Sequence, residues 1–138
     1  MWHNIKVFLC LPPILFILDY IWLGFFASSL YRKELSGFLR ISGEALQPVI
    51  WAALLVYIAI PAGIVLFALP RVSPDNVVTS SIFWGAVYGI VVYTIYDMTN
   101  YSLLKDWPLR LSLIDICWGA FLNAVGTLAA AHLDRWLK

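Results

Sequence analysis

The sequence predicts an all-α integral membrane protein, a four-helix bundle with a short interfacial helix between helices one and two. Three observations predict it. Of 138 residues, 62% are hydrophobic and 12% charged, more apolar surface than a water-soluble chain of this length hides. Four segments, 5–30, 48–69, 77–104 and 111–133, each supply the roughly 20 apolar residues that a helix needs to cross the hydrocarbon core. Together they use most of the chain, so residues 1–138 read as a single transmembrane domain with no room for a soluble one. Nine Lys and Arg against eight Asp and Glu give a net charge of +1. No overall field then recruits nucleic acid or an anionic surface, and any charge chemistry is local.

The first segment imitates a secretory leader, because Lys6 precedes the apolar run and Ala27-Ser28-Ser29 resembles a cleavage site. The run is too long for that role and contains Pro12, Pro13 and Asp19, so it is expected to stay as a span. The paired prolines remove backbone donors and predict a kink. Beyond them, Leu18-Asp19-Tyr20-Ile21-Trp22-Leu23-Gly24 carries a carboxylate near mid-membrane, and Tyr31-Arg32-Lys33 forms an aromatic and basic anchor for the headgroup region. Cys10 and Cys117 belong to no metal or redox spacing and are expected to be small buried hydrophobes.

In the connection from Glu34 to Gln47, Leu35, Phe38, Leu39, Ile41, Ala45 and Leu46 recur at roughly helical spacing between charged residues. That pattern predicts the interfacial helix, although Gly37 and Gly43 interrupt it. The second segment holds no ionisable group other than the phenol of Tyr57, and its Pro61 and Gly63 predict a bend or a close helix contact. In the third, Gly85-x-x-x-Gly89 lets another backbone approach closely. The same face leads through Tyr93, Tyr96 and Asp97 to Asn100, within the dense polar run Tyr93-Thr94-Ile95-Tyr96-Asp97-Met98-Thr99-Asn100-Tyr101. The fourth repeats the Asp-x-x-Trp of Asp19 and Trp22 as Asp115-Ile116-Cys117-Trp118-Gly119, with Asn123 continuing that side.

Four crossings put both termini on one side, with Lys6, Arg71, Arg135 and Lys138. Arg32, Lys33, Arg40, Lys105 and Arg110 lie opposite. This near balance leans toward the connections holding Arg32 and Lys105 being cytoplasmic. Measured from that face at ~1.5 Å per residue, Asp19 lies roughly 16 Å deep, Asp97 roughly 10 Å and Asp115 roughly 6 Å. Because helices one and four run in opposite directions, Trp22 and Trp118 converge at roughly 11 Å.

Each buried Asp opposes insertion by about 2.5 to 3.5 kcal/mol. Within the four segments the only Lys or Arg is Lys6, at one edge. The acids must therefore be protonated, paired with neutral donors, hydrated or bound to a cation. The leading reading is a proton- or cation-linked transporter or channel-like protein in a bacterial inner membrane. Its site centres on Asp97, with Asp19 and Asp115 around it and Asn100, Thr94, Thr99, Tyr93 and Tyr96 as hydrogen-bond partners. Trp22, Trp118 and Asn123 complete the layer, while Gly85, Gly89 and Gly119 pack helices.

A lipid-binding or lipid-modifying protein using the same site is the alternative, and a purely structural membrane protein the second. No catalytic residue, cofactor or metal is assigned. Zinc spacing, a glycine-rich phosphate loop and a Ser or Cys beside a base are all missing, and His3 and His132 read as headgroup-level side chains. The expected partners are membrane lipid, a proton or cation, and a second copy of the chain paired through the glycine-rich face, with no nucleic acid.

Tyr96-Asp97-Met98-Thr99-Asn100, followed by Leu104-Lys105-Asp106-Trp107-Pro108 and Asp115-Ile116-Cys117-Trp118-Gly119, resembles the uncharacterised bacterial membrane-protein family catalogued as domain of unknown function 2177. The likeness reaches back to Gly85, Gly89, Asp19, Trp22 and Gly24 and covers nearly the whole chain. Met98 and Tyr101-Ser102 depart from the usual Leu and Ala-Thr but leave Asp97 and Asn100 in place. The resemblance implies a small integral inner-membrane protein and carries over no activity.

Overall fold

The computed structural model describes residues 2–42 and 45–137. Four helical runs are long and apolar enough to cross a membrane: Trp2–Phe26, Ile50–Arg71, Val77–Leu103 and Leu109–Trp136. The first consists of α1 (Trp2–Ile21) and a wider π turn over Trp22–Phe26. Pro12 and Pro13 lie inside α1, which continues through them. The irregular backbone comes later, beside Asp19, where the Ala27 N–H reaches the Trp22 carbonyl at 2.8 Å. Turns of this kind recur at functional sites.

A short helix between the first two spans is present, earlier than the spacing predicts. It is α2 (Ser28–Glu34). After it the Phe38 N–H bonds to the Leu35 carbonyl, and two-residue strands β1 (Ile41–Ser42) and β2 (Ala45–Leu46) pair antiparallel. The apolar spacing after Glu34 is met by a turn through Gly37, where Phe38 leaves the chain to pack on Trp107 at 5.4 Å. The interrupting Gly43 and the charged Glu44 lie outside the described residues, as does Lys138.

The second span is α3 (Ile50–Gly63), a π turn over Ile64–Ala68 and a 3₁₀ turn over Leu69–Arg71. Its irregular register follows Pro61, which has no N–H to give the preceding turn. The third and fourth spans are α4 (Val77–Leu103) and α5 (Leu109–Trp136).

The most extensive contact in the molecule is between α4 and α5. A Cβ added at Gly89 would stand 2.1 Å from the Gly119 carbonyl oxygen, and one at Gly85 would stand 2.4 Å from that of Asn123. The glycine-rich face is therefore filled by α5 of the same chain. The motif reports close approach of a helix, and here that helix follows in sequence.

Near the termini the centre of the bundle is closely packed, and a groove of about 350 Å³ lined by Asn4, Val65, Leu69, Ala131 and Asp134 opens at its rim. Val7, Leu11, Leu15, Ile64, Leu122 and Ala130 are buried together there. The π turn Ile64–Ala68 touches α1, α4 and α5, so all four spans meet. His3 Nε2 approaches Asp134 Oδ1 at 2.6 Å, and Arg135 donates to the Pro74 carbonyl at 2.8 Å, tying the ends of the chain to the same rim. His132 is exposed.

The cysteines do not follow expectation. Cys117 is exposed and Cys10 half-buried. On a membrane-facing helix surface an apolar thiol loses nothing by pointing outward, because lipid is as apolar as the core.

Candidate functional site

The cleft at the other end of the bundle follows from how α3 is held. Its main helix contact is with α1. It meets α4 at Gly63, where a Cβ would stand 1.6 Å from the Tyr88 hydroxyl. Its opposite end stands away from α4 and α5, leaving a cleft of about 270 Å³. Asp19, Trp22 and Leu23 line it from the first span, Tyr31 from α2, and Ala53, Val56 and Tyr57 from α3. Tyr93 of α4 and Asp115 and Trp118 of α5 complete the wall.

The converging depths of Trp22 and Trp118 take physical form as a stack, with ring centroids 4.5 Å apart and planes within 6°. The two Asp-x-x-Trp segments also cross-connect. Trp118 Nε1 donates to Asp19 Oδ1 at 2.9 Å, while the Tyr57 hydroxyl donates to Asp19 Oδ2 at 3.2 Å. Asp19 is 9% exposed. The Tyr31 hydroxyl donates to Asp115 Oδ1. Tyr31 lies beyond the first span, and burial, then the neighbouring Asp115, push its phenol well above the ordinary range, so it stays a donor. Tyr93 packs its ring on Gly119, where a Cβ would stand 2.3 Å from it. An adjoining groove shares Asp19, Leu23 and Tyr57 and carries Ser28 and Arg32.

Asp97 does not line this cleft. It is 1% exposed, with Ser112 as its hydrogen-bonding neighbour. The Ser112 hydroxyl accepts from Trp107 Nε1 at 2.9 Å, and Asp97 Oδ2 has no hydrogen-bond partner. The rest of the polar run splits around the helix. Tyr96 and Thr99 are exposed, Thr94 and Asn100 half-buried, and among the described residues none of the four hydrogen-bonds to a carboxylate. Asn123 is buried in the α4–α5 seam, donating from Nδ2 to the Gly119 carbonyl at 2.8 Å.

The structure thus brings together Asp19, Asp115, Trp22, Trp118 and Tyr93 of the predicted site around the cleft, and leaves Asp97 and Asn123 outside its lining, with Asp97 still within electrostatic reach of Asp115. Sequence reasoning missed the hydrogen-bonding groups Tyr31, Tyr57 and Ser112. Tyr57 carried a usable signal as the lone ionisable group in an otherwise apolar segment. Tyr31 looked like an interfacial anchor, and nothing distinguished Ser112. Among the described residues no group of three His, Cys, Asp or Glu side chains is arranged to hold a metal ion.

Comparison with curated proteins and with solved structures finds no match. A family model matches residues 4–132, nearly the whole chain. With its four apolar helices and polar groups turned inward, the chain belongs to the family described as predicted membrane protein, domain of unknown function 2177.

Proposed function

We propose that the protein binds a membrane lipid, whose polar head enters the cleft between α3 and α5 from one leaflet while its tail stays among the apolar surfaces outside. The carrying observation is the standing-off of α3 from α4 and α5, which opens a cleft walled by Trp22, Trp118, Tyr57 and Tyr93 around two carboxylates. Aromatic walls with a few placed polar groups suit an amphiphilic ligand. All lining groups come from one chain, so binding needs no second copy. The proposed setting is a bacterial inner membrane, with both termini on one side and the cleft in the cytoplasmic leaflet, on the Arg32 and Lys105 side.

The transport reading finds less support. A path across the membrane would have to pass the half filled by Val7, Leu11, Leu15, Ile64 and Leu122, each no more than 1% exposed. Asp97, its proposed centre, does not line the cleft that holds Asp19 and Asp115.

Ala53 lines the cleft and neighbouring Leu54 faces outward. Protein purified in mild detergent should carry lipid in native mass spectra. Ala53→Trp should lose it and Leu54→Trp keep it. Equal retention by both variants would remove the cleft as the binding site.

A further inference from the structure

The hydrogen-bond pattern around Asp19 narrows the chemistry of the ligand. Its two oxygens accept separately, Oδ1 from Trp118 Nε1 and Oδ2 from the Tyr57 hydroxyl. An indole N–H only donates, so Oδ1 is fixed as an acceptor, while Oδ2 faces a hydroxyl. Asp115, in the same cleft, accepts from the Tyr31 hydroxyl. Every one of these donors is neutral. Among the described residues no ion pair reaches either carboxylate, and no Lys or Arg lines the cleft. Negative charge at this depth without a counter-charge is costly. Five aromatic side chains, Trp22, Tyr31, Tyr57, Tyr93 and Trp118, supply most of the remaining wall beside Leu23, Ala53 and Val56, and the faces of such rings attract cations.

We infer that the lipid head bound in the cleft carries a positive charge, an ammonium centre seated between Asp19 and Asp115 against the Trp22–Trp118 wall. The inference rests on the lipid-binding reading above and adds the charge of the ligand to it. Two sources share this chemistry, a zwitterionic phospholipid with an amine head and a simple long-chain amine. Ser28 and Arg32, in the adjoining groove that shares Asp19 and Tyr57, would meet the phosphate of the first and find nothing in the second.

The test is titration of the purified protein with two amphiphiles of equal tail, dodecylammonium and dodecanol, with bound copies counted by native mass spectrometry. The cation should bind at least about tenfold tighter. The double variant Asp19→Asn, Asp115→Asn should bring the two together. The wild-type ratio is informative by itself should that variant fail to fold. Equal binding of both amphiphiles, lost in Ala53→Trp, would overturn the positive charge and leave the cleft reading standing. Binding of neither affected by Ala53→Trp would overturn both. A preference for the cation that survives in a folded double variant would also overturn the inference, since it would arise elsewhere. In a parallel titration with phosphatidylethanolamine, Arg32→Gln weakens binding if the phospholipid is the source and leaves it unchanged if the amine alone is recognised.

Discussion

The two ends of the bundle are built from the same four spans and behave as different materials. Near the termini, Val7, Leu11, Leu15, Ile64, Leu122 and Ala130 interlock, and the π turn after α3 touches the other three spans. At the opposite end α3 leans on α1, and the space left is walled by stacked indoles, phenols and two carboxylates. Apolar packing fills the centre of one half. In the other, Tyr57 and Trp118 donate to Asp19, and Tyr31 to Asp115, so each acid is held by a partner on another span or on α2. On the proposed reading, stability and ligand binding lie at different depths of one small protein, so they should respond to different substitutions.

The largest expected effect lies in the apolar core near the termini. Leu122→Ala removes a side chain with no exposed surface and should lower the unfolding free energy by about 2–5 kcal/mol. Reversible unfolding in micelles would read this, and lipid retention should not change. Next is the seam that both halves share. Gly89→Ala sets a methyl against the Gly119 backbone, which has no flexible end to move aside, and should cost about 1–3 kcal/mol. If it were neutral, the close approach of α4 and α5 would be wrong.

In the cleft half the expected stability effects are smaller and can reverse sign. Asp19→Asn relieves an insertion cost of about 2.5–3.5 kcal/mol for a central carboxylate while weakening two hydrogen bonds, so the unfolding free energy should equal or exceed that of wild type. Lipid retention should nonetheless fall. A clear loss of stability would mean that the acid is structural glue. Tyr57→Phe is the mildest change, removing one hydroxyl donor at a cost of about 0.6 kcal/mol by the same unfolding measurement.

Much of this division was legible in the residues. Apolar length set the four spans to within a few residues of those observed, apart from the first, whose regular helix gives way to the π turn at Trp22. The rise per residue put Trp22 and Trp118 at one depth, and they stack. The Gly-x-x-x-Gly announced a close contact and was silent on its partner, because a smooth helix face does not say which helix will cover it. The polar run around Asp97 drew attention by its density. Consecutive residues on a helix point in every direction, however, so Tyr96 and Thr99 face outward while Asp97 turns to Ser112. The separation of α3 from α4 and α5 depends on where Gly63 meets Tyr88, a long-range contact that no local pattern encodes.

The most direct test sets one variant from each half side by side, with lipid retention and unfolding free energy measured on both. Ala53→Trp should lose its lipid in native mass spectra and unfold like wild type, while Leu122→Ala should keep its lipid and unfold more easily. If retention and stability rise or fall together in both variants, the two halves are one unit and the cleft is not a separate binding site.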